Sequence, residues 1–287
     1  MKNILRPEWL VEICNRSAER KTWLAALPDA VADLEKRWGL KIGQPFDREP
    51  GASWVIPAMR QDGTSAFLKF GMPHMEAEQE IDALRFWDGD GAVRLLAANE
   101  GYNAMLLERC DPGTPLGDIP EPEQDVVLAG LLRRLWRVPT PPHPFRPLAE
   151  MTEHWSRETR AAIEQAPDIG LVEEGLRLFE ELPRTAPEQV LLATDLHAGN
   201  VLQAQREPWL AIDPKPFVGD SAYDATQHLF NCKERLYSDP DGTIRRVADL
   251  LGVDRQRVRL WTFARAAIET GDFGNGEVQA FVRALAP

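Results

Sequence analysis

Asp195, Asn200 and Asp213 stand in an order and spacing suited to chemistry on a phosphate. Asp195 and Asn200 bound the hexapeptide DLHAGN, and Asp213 ends the strand-like run WLAID. A carboxylate at the first position can accept the proton of an attacking hydroxyl. The Asn five residues on offers a metal ion an oxygen, and the Asp thirteen further grips that metal where it bridges phosphates. Asp and Asn also initiate turns and cap helices, but with Asp213 added at a hairpin end the set points to phosphoryl transfer.

Two short strands must position these groups. Residues 201–204 and 209–212 are apolar runs around Gln205-Arg206-Glu207, so Asn200 opens one strand and Asp213 closes the next. Paired strands lie about 4.8 Å apart, which lets the two side chains share one cation. Upstream, 8–20 and 30–38 carry apolar residues at three- and four-residue spacing and read as two surface helices. Residues 54–58 and 65–70 read as a hairpin turning through Gln61-Asp62-Gly63, 75–87 as a helix, and 92–97 and 104–108 as strands. An N-terminal α/β lobe is therefore expected over 1–110. The Pro- and Gly-containing stretch 111–123 reads as a hinge, and 124–287 as a mostly helical lobe (124–137, 149–165, 171–182, 223–236, 243–251, 255–270 and 277–285) around a β segment at 190–212. The expected class is α+β, in two lobes.

The chain has 287 residues, 44% of them apolar, enough to build two cores. Its net charge of -12 disfavours nucleic acid and membrane surfaces and favours a cationic partner. Cys14, Cys110 and Cys232 form no CxxC pair, and the five histidines never fall at ligand spacing with them, which argues against structural zinc and for a reduced, cytoplasmic setting. The start MKNILRPEWLVEICNR mixes charge through its apolar residues and is not expected to be an export signal. No run approaches the roughly 18 apolar residues of a membrane span.

The segment LLATDLHAGNVLQAQREPWLAIDPKPFVGDSAYDATQHLFN resembles the signature of the aminoglycoside phosphotransferases, most nearly the branch of streptomycin 6-kinases and hydroxyurea-type resistance kinases. AFLKFG, EIDALRFWDGDGAVRLL and LLERCDPGTPL support the resemblance upstream, which covers roughly 51–231. It implies a two-lobed, protein-kinase-like fold that binds ATP or GTP with Mg²⁺ at the hinge. Asp195 is then similar to the carboxylate that orients and deprotonates the attacking hydroxyl, and Asn200 and Asp213 to the magnesium ligands. Lys69 would contact the α and β phosphates, with Glu80 pairing to it and holding it. Glu108, Arg109 and Cys110 would offer backbone groups to the purine. With no GxGxxG in the lobe, EPGASW, including Gly51 and Ser53, is the candidate phosphate loop, although a simple turn before a strand fits it as well.

One departure stands out. Such kinases commonly carry His-Gly before the catalytic Asp, where this chain has Ala193-Thr194; His197 remains to brace the loop. Asp220 and Asp224 suit a helix N-terminus, and the resemblance makes Asp220 a brace or a substrate contact. Asp272-Phe273-Gly274 spells a kinase tripeptide but follows a helix and reads as its ending turn, as Asp88-Gly89 does for the helix bearing Glu80. A cationic acceptor needs carboxylates, for which Glu234, Glu269 and Asp272, with Glu153 and Glu158, are the candidates. The reading is γ-phosphoryl transfer to a hydroxyl of a streptomycin-like aminoglycoside. Two alternatives stay open: a kinase of the same fold acting on another antibiotic, an amino sugar or an amino alcohol, and a nucleotide-binding protein without turnover. The sequence is silent on whether the chain is a monomer or a dimer.

Overall fold

The structure, a computed structural model, describes residues 7–45 and 53–287. The chain divides into two compact units, the first made of the residues up to Gly113 with Gln203–Leu210, the second of Thr114–Leu202 with Ala211–Pro287. No helix of the described residues is long and apolar enough to cross a membrane.

In the first unit, α1 (Glu8–Cys14) ends at Asn15 and α2 (Ala18–Arg37) begins at its cap Ser17, whose Oγ accepts from Arg20 N at 3.1 Å. The expected helices 8–20 and 30–38 are thus redrawn: the break falls earlier, and α2 runs unbroken past Pro28. An interior proline costs a helix about 3 kcal/mol. Burying Leu24, Leu27, Val31 and Leu34 against the sheet, at roughly 1.5–3 kcal/mol each, outweighs it.

The sheet is antiparallel, in the order β1 (Lys41–Ile42), β2 (Ser53–Met59), β3 (Ser65–Gly71), β5 (Ala104–Glu108), β4 (Leu95–Asn99). The hairpin pairs Trp54 with Phe70 and Val55 with Lys69, and Gly63 takes the positive φ of its turn, 83°. Trp54, Ile56, Ala58, Ala66, Leu68 and Phe70 pack with α1 and α2 in one cluster. The two-residue period of the pleat then sends Lys69 to the opposite face. There α3 (Glu80–Trp87) lies, shorter than the helix 75–87 of the sequence reading. His74 caps a separate 3-10 turn at Met75–Ala77, Gln79 is left-handed (φ 67°), and the helix starts after it. The predicted strand at 92–97 also shifts, because Gly89 and Gly91 have positive φ and the chain straightens only from Leu95.

Beyond the hinge the chain forms α4 (Glu121–Leu135), α5 (Leu148–Ala162), α6 (Ile169–Glu181), β6 (Val190–Leu192), β7 (Val201–Gln203), β8 (Trp209–Ala211), β9 (Phe217–Gly219), α7 (Ser221–Asn231), α8 (Lys233–Ser238), α9 (Pro240–Leu251), α10 (Arg255–Ile268) and α11 (Gly276–Leu285). All of these lie in the second unit except Gln203–Leu210, the end of β7 and most of β8, which belong to the first. The predicted helix 223–236 is two helices, broken at Cys232, and β9, which pairs with β6, is absent from the sequence reading. α6 and α10 approach closely at Gly175, where a Cβ would meet Ala267 Cβ at 2.6 Å. Trp261 of α10 is fully buried, edge-on to Phe179 and Tyr223.

Candidate active site

The expected site residues fall in both units, and each group has its own geometry. In the first unit Lys69 and Glu80 are 3% and 2% exposed, and Lys69 Nζ lies 2.5 Å from Glu80 Oε1. A charge so enclosed is tolerable only when paired. β3 and α3 supply the two partners across the sheet face. Ser53 opens β2 opposite Gly71. The rest of the EPGASW stretch before it, Gly51 included, lies outside the described residues.

At the end of β5, Glu108 is tied into its surroundings by backbone and side chain. Its N–H donates to Arg94 O at 3.0 Å, and its Oε1 accepts from Arg94 N and from Arg206 Nη2, each at 2.7 Å. Arg206, from the tip of the β7–β8 hairpin, also donates to Gly89 O at 2.8 Å and Ala92 O at 3.1 Å. In sequence Arg206 reads as part of a turn, since nothing in a turn tripeptide tells where its long side chain ends. Cys110 is buried, and burial together with the Glu108 carboxylate pushes its thiol up to about 11.

In the second unit the segments 193–202 and 211–215 carry Asp195, Asn200 and Asp213. Asn200 Nδ2 donates to Asp195 O at 3.0 Å, and Ile212 N donates to Asn200 O at 2.8 Å, which sets Asp213 beside Asn200 as the hairpin reading requires. Asp213 adopts a left-handed conformation (φ 53°) and its Oδ1 lies 2.7 Å from Lys215 Nζ. His197 braces the loop, its Nδ1 accepting from Gly199 N at 3.1 Å. Burial lowers its pKa against the opposing pull of Asp195 and Asp213.

Ala193-Thr194 has a specific geometry. Thr194 sits at φ 39°, a conformation that favours glycine. It is held there by three bonds: its N–H to Asp224 Oδ1 at 2.9 Å, its Oγ1–H to Lys215 O at 2.6 Å, and Ala193 N to Asp224 Oδ2 at 3.1 Å. Trp136 Nε1 adds a fourth, to Asp224 Oδ2 at 2.9 Å. Asp224 is fully buried, and burial pushes its carboxyl up to about 6 despite these donors. In sequence it suits a helix N-terminus, and its spacing gives no sign that it clasps a loop some thirty residues away. Nor did sequence reveal Gln227, whose Nε2 donates to Asp195 Oδ1 at 2.9 Å, or Lys215 on Asp213.

Asp220 stands apart from the other acceptor candidates. It is buried, caps α7 and binds Arg257 and Trp261 Nε1, 2.6 Å away, so it braces α7 against α10 and is enclosed from any acceptor. Glu269 and Asp272 do come together, lining a cavity of about 370 Å³ with Gln227, Phe230, Tyr237 and Arg265. Glu234 is exposed and outside this lining. Glu153 pairs with Arg184, and Glu158 lies 3.5 Å from His154. Asp272-Phe273-Gly274 does close a helix: Thr270–Asp272 is a 3-10 turn after α10.

The fold is that of the protein-kinase-like small-molecule kinases. The solved choline kinase LicA from Streptococcus pneumoniae matches it with a TM-score of 0.61 at 13% identity, over 90% of this chain and 98% of that chain. A family model described as aminoglycoside/hydroxyurea antibiotic resistance kinase matches residues 38–273, and the chain belongs to that family. Streptomycin 6-kinase from Streptomyces griseus is 40% identical over 90% of this chain and 87% of its own. Hydroxyurea phosphotransferase from Kitasatospora aureofaciens is 36% identical over 90% and 77%.

Proposed function

We propose that this protein phosphorylates a hydroxyl of a streptomycin-like aminoglycoside with ATP and so confers antibiotic resistance. The observation that carries the reading is the loop that joins Asp195, Asn200 and Asp213 in a member of this kinase family. The 40% identity to a streptomycin 6-kinase supports the acceptor class.

Asp195 orients the attacking hydroxyl and accepts its proton. Lys69, fixed by Glu80, positions the α and β phosphates of ATP, and Glu108 and Cys110 mark the segment that meets the purine. Asn200 and Asp213 offer neighbouring hard oxygens, a donor set that would hold Mg²⁺. A magnesium ion held there would supply positive charge against the charge that develops on the phosphates. Ser53 is a further phosphate contact. Glu269 and Asp272 give the acceptor cavity two carboxylates for amines or guanidinium groups, in a volume of the order of a small-molecule pocket. The three free cysteines are buried thiols, in keeping with a reduced, cytoplasmic protein. A hydroxyurea-type acceptor is the second reading, supported by the 36% identical phosphotransferase.

Purified protein with magnesium and ATP, tested against aminoglycosides, hydroxyurea, amino sugars and amino alcohols, decides between them. Transfer to streptomycin is the expected result. Asp195→Asn keeps size and removes the base, so kcat should fall on the order of 10²-fold or more with ATP affinity little changed. ATP binding without turnover on any acceptor overturns the proposal.

A further inference from the structure

Asp195 is addressed by a relay that begins on a different helix. Gln227 of α7 donates from Nε2 to Asp195 Oδ1 at 2.9 Å, and Arg265 of α10 donates from Nη2 to Gln227 Oε1 at 2.8 Å. The guanidinium has little freedom. Its Nη1 donates to Thr226 Oγ1 at 2.6 Å, that hydroxyl donates in turn to Tyr223 O at 2.6 Å, and Cζ lies 4.8 Å from the Tyr223 ring centre and 5.3 Å from that of Phe230.

A glutamine amide has two nearly isosteric ends of opposite hydrogen-bonding sense, so its orientation has to be decided by its neighbours. Arginine only donates. Arg265 therefore accepts one orientation alone, with Oε1 toward itself and Nε2 toward Asp195. No carboxylate among the described residues forms an ion pair with Arg265; its charge acts on Asp224 through space, and the Gln227 amide links it by hydrogen bonds to Asp195. We infer that Arg265 and Gln227 are positioning residues: Arg265 fixes the sense of the Gln227 amide, and the amide N–H fixes the Asp195 carboxylate for the attacking hydroxyl. Sequence gives no hint of this, because the three residues lie on a loop and two helices far apart in the chain.

The inference rests on the kinase reading above, and the test separates the two. Gln227→Glu is nearly isosteric, retains an acceptor for Arg265, and replaces the N–H facing Asp195 by a carboxylate oxygen. It should fold with the wild-type melting temperature to within a few degrees and lose about tenfold to a hundredfold in kcat, with KM for ATP within about twofold. Arg265→Met frees the amide to turn and should lower kcat about tenfold. Because Arg265 acts through Gln227, adding Arg265→Met to Gln227→Leu should lower kcat no further. Should Arg265→Met fail to fold for want of its aromatic contacts, Gln227→Glu carries the test alone. A Gln227→Glu enzyme as fast as wild type, or losses that multiply in the double variant, overturns the relay and leaves the kinase reading intact. A wild-type protein that transfers phosphate to no acceptor defeats the kinase reading and the relay with it.

Discussion

Thr194 offers a direct test of how this chain manages without the glycine common before the catalytic Asp. A non-glycine residue in the left-handed region costs about 1–2 kcal/mol, and a β-branched one is a genuine outlier there. Against that, the buried bond from Thr194 Oγ1 to Lys215 O contributes about 1 kcal/mol net. Thr194→Ala loses the bond and keeps the strained φ, so it should be destabilised by about 1–2 kcal/mol. Thr194→Gly also loses the bond but relieves the strain; after the extra unfolded-state entropy of glycine, about 0.5–1 kcal/mol, it should lie within about 1 kcal/mol of wild type. The order is the reverse of the usual one, since glycine normally costs about 0.5–1 kcal/mol relative to alanine in regular structure. Calorimetric melting in parallel with urea titration reads the difference, which for a chain of this size is roughly 2 °C per kcal/mol. If Thr194→Gly melts below Thr194→Ala, the strain argument is wrong.

Asp125 is a second point of leverage, in the helical unit. Its buried carboxylate meets His228, Arg235 and Arg246 at 2.7, 2.7 and 2.8 Å. Burial opposes the charge, but the bonds from His228, Arg235 and Arg246 overcome it and hold the carboxyl well below the usual range. Asp125→Asn should cost about 3–5 kcal/mol at neutral pH by stranding those partners. A depressed folded-state pKa gives stability that is complete above about pH 4 and is lost as pH falls through the folded value, so the gap to wild type should narrow below about pH 4. Urea midpoints for both proteins at several pH values measure it, and a constant gap refutes the account. Arg206→Met should loosen the end of β5, raising amide hydrogen exchange at Glu108 and Arg94 and raising KM for ATP about threefold to tenfold with kcat little changed. Unaltered exchange at both positions would show that the clamp is not what orders that segment.

Local chemistry made much of this protein legible in sequence. The Asp-Gly turn and the alternation around it gave the β2–β3 hairpin, and β5 was read with its observed limits, because period and turn residues are properties of neighbours in the chain. The convergence of Asn200 and Asp213 was readable for the same reason, since a short hairpin fixes both ends. Helix limits were less so: the spacing places helices at 8–20 and 30–38, whereas α2 runs through the gap and past Pro28 on the strength of its buried packing, and Cys232 interrupts a helix whose apolar pattern runs on.

The kind of chemistry is written in the order of Asp195, Asn200 and Asp213, and the pairing of Lys69 with Glu80 follows from the family resemblance. What holds those groups in place is set on folding: Asp224 on the backbone of Ala193 and Thr194, Lys215 on Asp213, Gln227 and Arg265 behind Asp195, and Arg206 on Glu108. All but the Asp213–Lys215 pair, two residues apart, are contacts between elements remote in the chain. Their energies depend on distance and burial in the folded state, and composition and spacing encode neither.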